Sequence, residues 1–236
     1  MRHSSRIVVL TGAGISAESG VPVFRGPDGL WEGRRVEEVA TAEAVAFHRD
    51  DVNGFFNGLR RNIATIKPNP AHFALAELER ELGNNCLVVS QNIDPLHEKA
   101  GTKNLIHMHG ELFRVRCDSC EGSFPFDGDV HAETPCALCG ERGGLRPDVV
   151  LFGEIPKQMD NIYSALSRCD CFVAIGTSGF VYPAAGFVDI AHAAGAKTIE
   201  INLADTERSL TFEEKITGPA SESVRLWVRR VLRESS

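Results

Sequence analysis

The chain has no surplus of positive charge: 25 Lys and Arg stand against 32 Asp and Glu in 236 residues, a formal net charge of −7, with a pI near 5.6. No general field draws in nucleic acid, and the basic pairs Arg34-Arg35, Arg60-Arg61 and Arg229-Arg230 sit among acids. No apolar run approaches the roughly 18 residues of a membrane span, so no membrane partner is expected. The opening MRHSSRIVVLTGAG lacks the small-residue cleavage site that follows a signal peptide's apolar core, which points to the cytoplasm. Internal repeats, low-complexity tracts and long linkers are also missing. What remains is 43% apolar, enough for one large domain carrying a smaller one.

Runs of strand length stand out. RIVVLTGAG, CLVVSQN and CFVAIGTSG each place four or five apolar residues before small and polar ones, and KTIEIN is a shorter version. Strands apolar on both faces suit the centre of a parallel sheet, whose C-terminal ends open into ligand loops. Between them lie helical patterns. Asn69-Pro70 opens a segment with Leu75, Leu78 and Leu82, closed by Gly83, and YPAAGFVDIAHAAGAK and ESVRLWVRRVLRE read as two more. The alternation predicts an α/β, doubly wound parallel sheet. Residues 27–68, rich in charge and helix pattern, and 117–148, rich in loops, break it and are expected to build a smaller module.

Cysteines number seven, an odd count in a chain without a secretory signal, which favours metal over disulfides. Cys117-x-x-Cys120 and Cys136-x-x-Cys139, fifteen residues apart, have the spacing of a closed four-thiolate zinc site. Such a site stabilises a small ribbon and leaves no position for substrate. A redox dithiol and coincidence are the alternatives. The acids around the knuckles (Asp118, Glu121, Asp127, Asp129, Glu133, Glu141) argue against a nucleic-acid ribbon. Cys86, Cys169 and Cys171 read as buried core.

The turn Gly12-Ala13-Gly14-Ile15-Ser16-Ala17 resembles a redox dinucleotide fingerprint, but an acidic residue about twenty positions on is missing. In its place is the loop VPVFRGPDGLW. A plain strand-to-helix junction is the alternative for the turn. Gln91, Asn92 and Asp94 in SQNIDPLHEKAG fall just past a strand, as a substrate loop or as a turn capping the next helix. NLIHMHGELFRVRC alternates like a strand, with His107 and His109 on one face and Gly110 ending it.

Taken in order, GAGISAESG…FR, QNID, HMHGE, the two C-x-x-C pairs, VVLFGE, GTSGFVYPAAG and INL resemble the sirtuins, NAD-consuming protein-lysine deacylases, from about Ile7 to Ala220. The resemblance is to short bacterial members near the class III subgroup. It implies a Rossmann-like NAD-binding domain over 1–26, 69–110 and 153–236. A helical module over 27–68 and a zinc-binding module over 111–152 would form the small domain, with NAD and acyl-lysine meeting between. The reaction implied yields nicotinamide, deacylated lysine and 2′-O-acyl-ADP-ribose.

Carried to this chain, the resemblance makes His109 the base toward the ribose hydroxyls, a task suited to an imidazole. Asn92 would hold the ribose and a water, and Asp94 the nicotinamide carboxamide. Gly12, Ala13, Gly14 and Ser16 would bring backbone donors to the pyrophosphate, with Ala17 and Glu18 beside them. Phe24 and Arg25 would close over the nicotinamide ribose, Trp31 nearby. Gln91, Ile93, Gly176, Thr177, Ser178, Asn202, Leu203 and Ala220 complete the cofactor contacts. Val150, Phe152, Gly153 and Glu154 would pair with a substrate peptide, Val150 and Phe152 lining its acyl-lysine tunnel, and Cys117, Cys120, Cys136 and Cys139 would hold structural Zn2+. The short length of the chain suggests a monomer or weak homodimer.

One departure bears on specificity. Class III sirtuins that remove succinyl or malonyl groups carry Tyr and Arg as Y-x-x-R; the matching stretch FFNGLRR offers Phe56 and Leu59. Loss of phenol and guanidinium predicts a preference for neutral acyl groups. A one-residue shift would bring Arg60 into play instead. Pro95, following Asp94, either pre-sets or disturbs the nicotinamide pocket. Two other readings remain at this point: a sensor that binds NAD or ADP-ribose with little turnover, and a hydride-transferring dehydrogenase.

Overall fold

The computed structural model describes residues 5–22, 30–31 and 34–235. In chain order the elements are β1 (Ile7–Thr11), α1 (Gly14–Ala17), β2 (Leu30–Trp31), β3 (Arg34–Arg35), α2 (Val36–Val39), α3 (Ala42–Ile63), α4 (Pro70–Leu82), β4 (Cys86–Ser90) and α5 (Leu96–Ala100). There follow β5 (Leu105–His107), β6 (Gly110–Cys117), β7 (Ser123–Pro125), β8 (Leu145–Val149), α6 (Met159–Leu166), β9 (Cys171–Ile175), α7 (Phe187–Ala193), β10 (Lys197–Asn202), β11 (Glu214–Thr217) and α8 (Ala220–Ser235).

Six strands form a sheet in the order β11-β10-β9-β1-β4-β5, every pair parallel. The two-residue period of the strands sorts their side chains between two cores. Ile7, Val9, Val173 and Ile175 pack with Leu75 and Leu78 of α4 and with Val224 and Trp227 of α8. Val8, Leu10, Phe172 and Ala174 pack on the other face with Ile162 of α6 and Phe187 of α7. This is the doubly wound α/β sheet that the apolar runs predict, and all four of those runs are strands in it.

Helix α4 shows why its sequence folds locally. The Asn69 side chain accepts from the Ala71 amide at 2.9 Å, His72 Nδ1 accepts from the Asn69 amide at 3.3 Å, and Pro70 occupies a position whose N–H would be an orphan anyway. Gly83 ends it. The predicted helix in YPAAGFVDIAHAAGAK is shorter than its pattern, since Ala184–Gly186 form a 3-10 turn ahead of α7.

A second, antiparallel sheet, β7-β6-β8, carries its own small core of Val115, Cys117, Val130, Cys136 and Leu145. Helix α3, with non-helical geometry at His48 (φ −137°), lays Val52, Phe56, Leu59 and Ile63 against Leu112, Val149 and Leu151. NLIHMHGELFRVRC is not one strand: β5 ends at His107 in the parallel sheet, and β6 begins at Gly110 in the other. Gly110 makes the change of sheet possible. Its φ is +82°, and a Cβ there would stand 2.0 Å from the Asp148 carbonyl oxygen.

Candidate active site

The C-terminal ends of β1, β4, β9 and β10 open on a cavity of about 520 Å3. Strand β1 lies between β4 on one side and β9 on the other, and a doubly wound sheet presents its ligand crevice where the strand order reverses. The opposite wall comes from Ala40, from Leu59 and Ile63 of α3, and from Val149 to Glu154.

Gly12, Ala13 and Gly14 form the floor after β1. A Cβ on Gly12 would lie 2.7 Å from the Gly176 carbonyl oxygen, and one on Gly14 2.7 Å from the Gly176 Cα. The glycines are therefore required by the close approach of the loop after β9. Their amides are engaged as well: Gly12 N donates to Ile175 O at 3.0 Å, Gly14 N to Gly176 O at 2.9 Å and Ser16 N to Ala13 O at 3.1 Å. The loop thus offers a bare, close surface, where the sequence suggests free donors at those three positions.

The turn after β4 is fixed from several directions. Asn92 Nδ2 donates to Gly12 O at 3.1 Å and to Ser16 Oγ at 3.2 Å, and its amide donates to Ser90 Oγ at 3.1 Å. Ser16 is fully buried beneath the loop, where its hydroxyl also meets His72 Nε2 at 3.4 Å. Asp94, 2% exposed, accepts from the Leu96 amide at 3.1 Å. Burial pushes its carboxyl above the usual range, against the lowering influence of that bond, of Ser16 and of His107. Pro95 stands at the N-cap of α5, where a missing N–H costs no helix bond.

His109 sits on the cavity wall with Nδ1 2.9 Å from the Gln91 carbonyl oxygen. A carbonyl only accepts, so Nδ1 carries the proton and Nε2 keeps its lone pair. Burial lowers the pKa of the ring, and the Gln91 bond offsets only part of that. At neutral pH His109 is a neutral base with a defined basic atom.

Gln91, Ile93, Gly176, Thr177, Ser178, Asn202 and Leu203 line the same cavity, and Asn202 Nδ2 ties β10 to the β9 loop by donating to Thr177 O at 2.7 Å. So do Leu59, Val150, Phe152, Gly153 and Glu154. Val150 to Glu154 lies past the end of β8. The Val150 amide donates to His109 O and that of Phe152 to Ala40 O, each at 2.8 Å. Glu154 is held by Arg146 at 2.6 Å and by the Leu151 amide at 2.9 Å.

Other sequence candidates lie elsewhere. Ser16, Ala17, Glu18, Phe56 and Ala220 are not in the cavity lining. Glu18 accepts from the Ser221 amide at 2.9 Å, which joins α1 to the start of α8 beside Ala220. Phe56 is fully buried behind Leu59 in the α3 core. Trp31 belongs to β2, paired with Arg34. Phe24 and Arg25 fall outside the described residues. Arg60 turns away from the cavity: Nε donates to Leu112 O at 2.9 Å, and Nη1 to Asn57 Oδ1 and Gly128 O, both at 2.8 Å. Sequence reasoning missed Ala40, Ile63, Val149 and Leu151 in the wall; the four-residue helical spacing of Leu59 and Ile63 was a usable signal for one of them.

The four predicted metal ligands are brought together. Cys117 and Cys139 Sγ lie 3.9 Å apart, Cys120 and Cys136 Sγ 3.8 Å, and all four within 4.8 Å of one another. A tetrahedron with zinc–sulfur bonds near 2.3 Å has edges of about 3.8 Å, while a disulfide needs about 2.05 Å. The thiols fit structural zinc.

The Sir2 family model matches residues 12–183. The chain belongs to the Sir2 family. Over 235 residues, 99% of this sirtuin chain and 86% of the relative, it is 52% identical to an NAD-dependent protein deacylase of Salmonella typhimurium. A solved complex of a Sir2 homologue with NAD superposes with a TM-score of 0.88 at 39% identity, covering 99% of this chain and 92% of that one. A solved complex of Sir2 with a p53 peptide and NAD+ gives a TM-score of 0.77 at 31% identity over 97% and 92% of the two chains. Among the described residues of this sirtuin, no helix is long and apolar enough to cross a membrane.

Proposed function

We propose that this sirtuin is an NAD-dependent protein-lysine deacylase, cleaving NAD to nicotinamide and 2′-O-acyl-ADP-ribose, with a preference for neutral acyl groups. The carrying observation is His109: its Nδ1 is committed to Gln91 O, and its basic Nε2 shares the cavity with Asn92 and Asp94. NAD supplies an electrophilic ribose carbon with a good leaving group. The chain supplies the rest. His109 Nε2 takes a proton from a ribose hydroxyl, Asn92 orients the ribose, and the buried Asp94 faces the nicotinamide carboxamide. The bare Gly12–Gly14 floor lets a pyrophosphate approach, and Thr177, Ser178, Asn202 and Leu203 hold the adenosine side. The apolar wall takes the acyl-lysine stem and excludes water, and Phe24 and Arg25, outside the described residues, are assigned to the nicotinamide ribose.

The proposed division assigns 1–26, 69–110 and 153–236 to NAD binding, and 27–68 with 111–152 to the small domain. Partners are acylated lysines of cellular proteins, the compartment is the cytoplasm, and the assembly is a monomer or weak homodimer.

One assay tests the reaction. Protein, NAD and an acetylated peptide are mixed, and nicotinamide release is followed together with reduced-cofactor absorbance. Nicotinamide without reduced cofactor, lost in His109→Ala, supports deacylation. Reduced cofactor would indicate a dehydrogenase, and tight binding with neither product a sensor.

A further inference from the structure

Two histidines, not one, grip the turn after β4. His109 Nδ1 holds the Gln91 carbonyl, and His107 Nδ1 lies 3.1 Å from the next carbonyl, that of Asn92. The other nitrogen of His107, Nε2, lies 2.7 Å from Glu98 Oε1 on α5. We propose that His107 is a positioning residue for the Gln91–Asp94 turn, working as an imidazolium clamped between the Glu98 carboxylate and the Asn92 carbonyl.

The charge follows from counting donors. Both partners of His107 are acceptors only, so making both bonds requires a proton on each ring nitrogen. A neutral ring satisfies one partner and leaves the other facing a lone pair. The surroundings suit a cation: Glu98 on α5 and Glu111 on β6 bring their carboxylates within 4.8 Å of the ring nitrogen. Buried Asp94 lies nearby, and His97 behind it is kept neutral by burial and by the two neighbouring histidines. Arg114, on the far side, is paired with Glu111 at 3.7 Å. Burial alone would lower the pKa of His107, but the bond and charge of Glu98, the Asn92 bond and Glu111 outweigh it and raise the pKa. With no lone pair free, the ring is not available as a metal ligand, and the Glu98, His107, Glu111 trio is an ion pair with a neighbour.

The consequence lies on Asn92. Its side chain is tied to Gly12 and Ser16, while its carbonyl is held by His107. The clamp is complete below the raised pKa of His107 and loses one of its two bonds as pH rises through it. Loosening there reaches the dinucleotide floor through Gly12 while the His109–Gln91 bond itself stays in place. The inference rests on the reading of the cavity as a dinucleotide site.

The test uses the wild-type protein and Glu98→Gln. Nitrogen-15 spectra of labelled histidine should show both His107 ring nitrogens protonated at pH 6.5, with titration above that pH; a neutral His107 ring at pH 6.5 overturns the proposal. ADP-ribose binding, followed by calorimetry, should weaken about fivefold, the scale of one lost hydrogen bond, as pH rises through the His107 titration. In Glu98→Gln that weakening should move to lower pH together with the ring titration. Binding that is indifferent to His107 titration overturns the inference alone; absence of ADP-ribose binding at every pH overturns the site reading on which it stands.

Discussion

Acyl selectivity can be worked from the wall of the cavity. Ala40, Leu59, Ile63, Val149 and Leu151 present only hydrocarbon, and among the described residues no lysine or arginine lines the cavity. Arg60, the cation nearest in sequence to Leu59, is 1% exposed and points its Nε and Nη1 donors away from the cavity, at Leu112 O, Asn57 and Gly128 O. That direction argues against its alternative role at the acyl group. Arg61 pairs with Asp129. A succinyl carboxylate entering this pocket would lose its water and gain no cationic partner among the described residues. A bond to a charged group contributes roughly 1.5–3 kcal/mol and a neutral one about 1, so the missing guanidinium and phenol together leave succinyl-lysine worse by ~3 kcal/mol. That is on the order of a hundredfold in kcat/KM relative to an acetyl peptide. The assay is competition between succinyl and acetyl forms of one peptide, read by mass spectrometry of the products. Leu59→Arg should raise succinyl turnover about tenfold or more while lowering acetyl turnover. Wild-type removal of succinyl within a few-fold of acetyl would refute the reasoning, because it would require a cation that this wall does not present.

Four further outcomes follow from the geometry. kcat/KM should fall as pH drops through the lowered pKa of His109, on the acid side of 6.5, because protonated Nε2 cannot accept; a flat acid limb in a pH–rate profile would remove His109 as base. Burial lowers His72 from 6.5 to about 4, so between those pH values the unfolded chain binds the extra proton and stability declines as pH falls. The loss is roughly 2 kcal/mol by pH 5, measurable by urea unfolding and smaller in His72→Asn. Gly110→Ala forces a Cβ against Asp148 O at positive φ and should cost about 3 kcal/mol, a melting temperature lower by roughly 10 °C. Zinc content should be about one per chain and fall with Cys120→Ser, with earlier unfolding of β7-β6-β8 seen by hydrogen exchange.

The sheet was legible because its central strands are apolar on both faces, and α4 because Asn69, Pro70 and Gly83 mark its ends chemically. The zinc cluster was legible from spacing alone. The break between β5 and β6 was legible only in part: Gly110 marks an end in a stretch that otherwise alternates, and its contact with Asp148, 38 residues away, decides where one sheet yields to the other. Hidden too was the direction of Arg60, which depends on carbonyls of β6 and of the loop near Gly128. The glycine turn misled about the Gly12 and Gly14 amides, since their acceptors belong to β9 and its loop, more than 160 residues on.

Strand β1 precedes every other strand of the described chain and is one of the two in the middle of the parallel sheet. Its partners are β4, where Ile7 meets Cys86, and β9, where Ile7 meets Cys171. Until residue 175 has left the exit tunnel, one edge of IVVLT has nothing of its own chain to bind, and nascent chains shorter than this expose an apolar strand edge. Synthesis order and sheet order are opposed in this protein. Premature termination between β4 and β9 should therefore yield aggregating fragments, while completion of β9 closes the sheet and forms the Gly12–Gly176 contact under the cavity in the same event.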